Sequence, residues 1–191
     1  LVIQGLNEGL KATTILSEGL TPGMSVVGNL FHRGEYFLPE MLFSAKAMTG
    51  GLKHLEPILS KSSSNALATI VIGTVKGDLH DIGKNIVAMI MKGAGFNVID
   101  LGVDVPAENF IKAISEKKAD ILALSALLST TMPAMKNTVK TLSESGIRNK
   151  VKIIIGGAPV TSQFAEEIGA DGYAKDAPGA VNKAKELLKL L

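Results

Sequence analysis

The sequence predicts an α/β protein preceded by a small all-helical unit, and three observations carry that prediction. From Leu1 to Leu59 the apolar residues recur at helical steps, with no strand-like alternation. Ser60 to Asn65, Ser-Lys-Ser-Ser-Ser-Asn, is a polar stretch that marks a boundary and a hinge. Beyond it, short apolar runs alternate with helical segments, the pattern of βαβ units in a parallel sheet covered on both faces. The expected units are residues 1–60 and residues 66–191.

In the first unit, Leu1 to Leu20 is expected to form a helix weakened by Gly5, Gly9 and Gly19. Thr21-Pro22 starts the next helix, with a hydroxyl able to cap and proline at the first position. Met24, Val27, Leu30 and Phe31 share one side of it, and Gly34 ends it. Pro39 opens a third helix, in which Met41, Ala45, Met48, Leu52, Leu55 and Leu59 recur at steps of three and four. In the second unit, strands are expected at Leu67–Ile72, Asn97–Leu101, Ile121–Leu124, Val151–Ile155 and Gly172–Ala174. Helices should begin near Gly83, Pro106, Met132, Ser162 and Asp176. Five such strands favour the order 2-1-3-4-5 of a flavodoxin-like sheet, by analogy with other open α/β sheets. That order places a ligand crevice above the first and third strands.

Composition narrows the function. With 46% hydrophobic residues and 20% charged, the 191-residue chain can build a core and is not disordered. A net charge of +2 without a Lys/Arg cluster gives no sign of a nucleic-acid partner. The absence of cysteine excludes disulfides and thiolate metal ligation. No apolar run approaches the ~20 residues of a membrane span, and no signal peptide opens the chain, so the expected location is the cytoplasm.

The chemistry concentrates between the first strand and the helix after it, in Thr74-Val75-Lys76-Gly77-Asp78-Leu79-His80-Asp81-Ile82-Gly83-Lys84-Asn85. The glycines have the wrong spacing for a dinucleotide fingerprint. A P-loop would be one residue shorter and would carry a hydroxyl where Asn85 stands. A phosphate-receiver site would place an aspartate at the third strand end, where this chain has Ser125. What remains is Asp-x-His-x-x-Gly over Asp78 to Gly83, with an imidazole held toward a ligand beside a carboxylate. A lone loop histidine on an α/β domain is the ordinary alternative.

That pattern resembles the cobalamin-binding signature, and the resemblance covers nearly the whole chain. It is to the small corrinoid proteins of methyltransferase systems, and also to the cobalamin-binding region of cobalamin-dependent methionine synthase. A second signature follows the third strand, Ser125-Ala126-Leu127-Leu128-Ser129-Thr130-Thr131, and a third is the Gly156-Gly157-Ala158 turn. A helical turn, Gly34-Glu35-Tyr36-Phe37-Leu38-Pro39-Glu40, resembles the family's G-E-x-F-L-P motif. Family members carry a longer helical region ahead of Ile15 to Leu20. Part of the first cap helix is therefore expected to be absent from this sequence.

The resemblance implies a cofactor, cobalamin, carried as methylcobalamin when loaded, with His80 as the lower ligand of cobalt. Asp78 would hold the other ring nitrogen and Thr131 would complete a relay. Gly77, Leu79, Asp81, Ile82 and Leu127 are implied to contact the corrinoid. The cofactor's benzimidazole arm would leave cobalt for a slot lined by Gly83, Gly156 and Gly157, where side chains would obstruct it. Ser125 and Ser129 would hydrogen-bond the arm, and Tyr173 and Ala177 would meet its far end. Phe31, Leu38 and Glu18 would lie over the upper face. From the residues alone, simple packing of the helical bundle is the favoured reading of Phe31 and Leu38, and the glycines could be ordinary turns.

Functionally, the resemblance implies a methyl carrier. One partner, a substrate-specific corrinoid methyltransferase, would load the cobalt. A second methyltransferase would pass the methyl group to tetrahydrofolate or coenzyme M, and a reductive activase is a further expected partner. No separate set of catalytic residues is apparent. The rival readings are a subunit of an adenosylcobalamin-dependent mutase and a cobalamin-sensing regulator. The first would cover cobalt with a substrate barrel instead of a cap; the second lacks a DNA-binding module here.

Overall fold

The computed structural model describes residues 1–59 and 66–190. The expected linker and hinge, residues 60–65, lies outside the described residues. The helical part comprises α1 (Val2–Asn7), α2 (Ala12–Thr14), a π-helical segment (Ile15–Leu20), α3 (Thr21–His32) and α4 (Leu38–Leu59). The single helix expected over Leu1 to Leu20 is therefore broken. Gly9 adopts a φ of 87° just past α1, a left-handed conformation that glycine takes without penalty and that ends a helix.

The π-helical segment runs directly into α3, so Thr21 does not cap a new start. Its hydroxyl donates instead to the Gly93 carbonyl, 2.6 Å away. Pro22 follows at the junction, where the backbone hydrogen-bond ladder changes from π to α spacing. At the start of α4, the Glu40 carboxylate accepts from the Phe37 amide at 2.9 Å, closing the turn expected around Leu38-Pro39.

The second part alternates as expected. β1 (Thr69–Thr74), α5 (Ile82–Gly93), β2 (Asn97–Asp100), α6 (Ala107–Lys117) and β3 (Ile121–Ser125) come first. They are followed by α7 (Met132–Glu144), a 3-10 turn at Arg148–Lys150, β4 (Lys152–Gly156), α8 (Ser162–Ile168), β5 (Gly172–Tyr173) and α9 (Ala177–Leu187). The strands form one parallel sheet in the order β2-β1-β3-β4-β5, the flavodoxin-like order. The first strand begins two residues later than the apolar run suggested and continues to Thr74.

Two apolar layers sandwich the sheet. On one face, Val71, Leu122, Ile153 and Ile155 pack with Phe110, Met135 and Leu142 of α6 and α7. On the other, Ile70, Ile72, Ala123 and Ile154 meet Ile90 and Met91 of α5 and Ala180 and Ala184 of α9. Met24, Met41, Met48 and Leu52 of α3 and α4 belong to that second layer. The helical part is thus bound to the sheet part by a continuous core.

Register brings the three sequence signatures together. Thr74 pairs with Ser125, and Ser125 with Gly156, so the three strands end side by side at their carboxyl edge. The chain reverses direction of winding between β1 and β3, and open α/β sheets bind ligands at that point.

A histidine–carboxylate pair at the mouth of an apolar cavity

The loop after β1 is held from several sides. The Thr74 hydroxyl donates to the His80 carbonyl at 2.9 Å. The Val75 amide bonds to the Ser125 carbonyl, tying the loop to β3. The Gly77 amide donates to the Asp104 carboxylate at 2.7 Å, and the Asp104 amide to the Asp78 carbonyl at 3.0 Å. These bonds fix the backbone on both sides of Asp78.

The Asp78 side chain is fully buried. One oxygen, Oδ1, accepts from the His80 amide at 3.0 Å and faces the His80 ring nitrogen Nδ1 at 2.7 Å. The other, Oδ2, accepts from the Leu127 amide at 2.8 Å and the Thr131 hydroxyl at 2.7 Å. Burial by itself pushes this carboxyl up. The Thr131 hydroxyl, the amides of His80 and Leu127 and the His80 ring outweigh it and hold the group well below the ordinary carboxylate range. Asp78 is therefore ionised and can only accept. Nδ1 of His80 must carry the hydrogen, which leaves the Nε2 lone pair free to ligate a metal.

The sign of the pH dependence follows. A carboxylate whose folded value is depressed stabilises the fold above its ordinary value of 3.8. That contribution is lost as pH falls below this value toward the depressed one. Thr131→Val keeps the shape but removes one donor from a buried charge, and is expected to cost about 1–3 kcal/mol in urea unfolding. Thr131→Ser should restore most of the loss. A Val variant as stable as wild type would show that the hydroxyl contributes nothing.

In contrast to Asp78, the His80 side chain is half exposed, at 50%. It stands in the wall of a cavity of about 620 Å³ that runs from the helical part down between the sheet, α5 and α9. Beside it, Leu79 and Ile82 are 70% and 69% exposed, two large apolar side chains left bare at the cavity mouth. Phe31 and Leu38 of the helical part line the same mouth from the other side. Asp81, Gly83, Ser125, Leu127, Gly156, Gly157 and Ala177 also lie in the wall. A Cβ at Gly83 would meet nothing within 4 Å, so that glycine borders open space.

Other expected residues lie outside the wall. Gly77, Asp78 and Thr131 sit behind His80 and support it. Ser129 is exposed in the turn before α7, and Glu18 is exposed on the π-helical segment. Tyr173 packs against the layer on the opposite face of the sheet. Gly156 and Gly157 line the cavity, but the protein itself demands glycine there. A Cβ on Gly156 would come within 2.9 Å of the Ala174 carbonyl oxygen, and one on Gly157 would overlap the Ala126 carbonyl.

The sequence reading missed much of the wall. Met41, Val87, Met91, Ala123 and Ala174 line it, and nothing in the sequence sets them apart from core residues. Lys84, only 3% exposed, also lines it; its ammonium is tied to the Asp100 carboxylate and to the Asn85 side chain. The only available signal was the run of small residues, Ala123, Ala174, Ala177 and Ala180, among larger aliphatic neighbours.

A wide, apolar cavity edged by bare leucine and isoleucine side chains suits a large flat ring, and an anchored imidazole suits a metal at its centre. The residues present fit a corrinoid. Fold and cavity together define a corrinoid-binding α/β protein under a helical cap. Comparison with known proteins agrees. Residues 68–182 match the B12 binding domain, and residues 1–56 match a second B12 binding domain model. The dimethylamine corrinoid protein 1 of Methanosarcina acetivorans is 48% identical over 180 residues, 94% of this chain and 84% of that one. Its trimethylamine corrinoid protein 2 is 45% identical over 188 residues, 97% of this chain and 87% of the relative.

Among solved structures, a cobalamin-binding protein from Desulfitobacterium hafniense superposes with a TM-score of 0.81 at 33% identity. It covers 97% of this chain and 88% of its own. The methanol:cobalamin methyltransferase complex from Methanosarcina barkeri gives 0.83 at 34% identity, over 98% of this chain and 72% of that one. The chain belongs to the B12-binding family of corrinoid proteins, and cobalamin is its cofactor. Among the described residues no helix is long and apolar enough to cross a membrane.

Proposed function

We propose that the protein carries a methyl group between two partner enzymes: a substrate-specific corrinoid methyltransferase and a second one using tetrahydrofolate or coenzyme M. The observation that carries this reading is the ionised Asp78 holding Nδ1–H of His80 at the mouth of the corrinoid cavity. The cobalt of the bound corrinoid supplies the chemistry, taking up the methyl group and giving it up. His80 would offer Nε2 to cobalt, while Asp78 and Thr131 fix its tautomer and could hold a proton at the Asp78–His80 pair. Phe31 and Leu38, which line the cavity mouth from the helical part, would keep water from the other side of the bound ring. The likeness to dimethylamine and trimethylamine corrinoid proteins supports methylamines as the donor class.

The two units, residues 1–60 and 66–191, are read as a cap and a cofactor domain that separate during transfer. Attack on a methyl group needs reacting atoms ~3–3.5 Å apart in line, which Phe31 and Leu38 would block. Opening exposes Met24, Met41, Met48 and Leu52, each worth about 1.5–3 kcal/mol of burial. The closed state therefore dominates until a partner covers that surface. A reductive activase is the third expected partner.

The test uses the purified, corrinoid-loaded and reduced chain with a dimethylamine- or trimethylamine-specific methyltransferase. One methyl group should appear per corrinoid, followed by the visible spectrum of the cofactor, and should leave on adding the second enzyme. A cofactor that stays unmethylated with every methylamine and methanol enzyme offered would overturn the reading.

A further inference from the structure

We propose that Asp104, in the loop between β2 and α6, is a positioning residue that sets His80 for metal ligation by bracing Asp78 from behind. This rests on the reading above, in which His80 serves cobalt. Asp104 belongs to none of the sequence signatures and does not line the cavity. Its backbone singles it out. Among the described residues only Asp104, Lys118 and Lys189 have a positive φ without being glycine. Lys118 and Lys189 stand where α6 and α9 end, an ordinary place for that conformation. Asp104, at 53°, ends no helix. The left-handed region costs a residue with a Cβ, and such strain persists where the surroundings require it.

What requires it here is a double grip on the loop after β1. The Asp104 carboxylate accepts from the Gly77 amide at 2.7 Å, and its own amide donates to the Asp78 carbonyl at 3.0 Å. One residue thus holds the chain on both sides of Asp78. The grip is itself anchored along the end of β1. The Leu101 amide bonds to the Ile72 carbonyl, the Thr74 amide to Gly102 and the Val105 amide to Thr74.

The Asp78 carboxylate is aimed by His80, Leu127 and Thr131, but its origin is set by the backbone that Asp104 holds. Gly77, at a φ of 85°, turns easily once its amide is released. Oδ1 of Asp78 then moves away from Nδ1 of His80, now 2.7 Å distant. A longer or bent hydrogen bond holds the Nδ1–H tautomer less firmly, and Nε2 is less often free to ligate.

Two variants of the full chain separate positioning from folding. Asp104→Gly removes the acceptor yet suits the left-handed backbone, so its melting temperature should stay within about 4 °C of wild type. Asp104→Asn keeps an acceptor oxygen and tolerates that backbone, so it should match wild type throughout. In the cofactor-free chain at alkaline pH, the nitrogen-15 resonances of the His80 ring report which nitrogen carries the hydrogen. Wild type and Asp104→Asn should show Nδ1–H, and Asp104→Gly should shift toward Nε2–H. Titrated with cobalamin, Asp104→Gly should bind about fivefold more weakly, the net effect of one hydrogen bond. An unchanged His80 tautomer in Asp104→Gly would overturn the proposal, as would an Asn variant as impaired as the Gly variant. The Co(II) paramagnetic spectrum of the loaded wild-type chain, made with nitrogen-15 histidine, tests the reading beneath it. No histidine nitrogen on cobalt defeats that reading, whatever Asp104 does to the free ring.

Discussion

Asp78→Asn is expected to lose histidine ligation of the cofactor while the chain still folds, although less stably. All the groups around Asp78 are donors toward it: the amides of His80 and Leu127, the Thr131 hydroxyl and the His80 ring. An asparagine must turn its NH₂ toward one side. Facing Leu127, it leaves a buried amide unpaired, at about 1–3 kcal/mol. Facing His80, it opposes the backbone amide and favours the tautomer with hydrogen on Nε2, which cannot ligate cobalt. Loss of such a supporting carboxylate typically lowers metal affinity or activity about 10–100-fold. Corrinoid affinity, redox midpoint and methyl-transfer rate check this. Values unchanged from wild type would remove Asp78 from the mechanism.

Gly157→Ala should be the more damaging change to the fold. Gly157 adopts a φ of 135°, a conformation closed to side-chain-bearing residues. A Cβ there would also overlap the Ala126 carbonyl, a rigid backbone group at the end of β3 that cannot swing aside. We expect a loss of at least about 4 kcal/mol, against a typical total of 5–15 kcal/mol. Thermal unfolding of the cofactor-free chain measures it, away from any effect on cobalamin. A melting temperature within a degree or two of wild type would show that the β4 turn relaxes freely.

Asp78 and His80 were legible because their partnership is written in consecutive residues after a recognisable strand. Thr131 was legible through a second short signature. The sheet followed from alternating runs, because a parallel strand buried on both faces needs an unbroken apolar stretch. Gly157 was picked out, but for a role toward the cofactor; the nearer reason is the approach of two backbone segments from different strands. Lys84 stands in the first turn of α5, and its burial depends on Asp100 at the end of β2, a partner that lies sixteen residues away in sequence. Ala123 and Ala180 carried no signal of a cavity, since the same composition describes a filled interior and an open one. The break at Gly9 was missed because a weak helix and two short ones share a pattern.

The central claim is that His80 ligates cobalt through Nε2 with Asp78 behind it. The most direct measurement is the electron paramagnetic resonance spectrum of the reconstituted protein in its Co(II) state, prepared with natural-abundance and with nitrogen-15 histidine. The predicted result is superhyperfine splitting from one axial nitrogen that changes pattern on labelling and disappears in His80→Ala. A splitting unaltered by the label would contradict the claim and leave the histidine as a bystander at the cavity mouth.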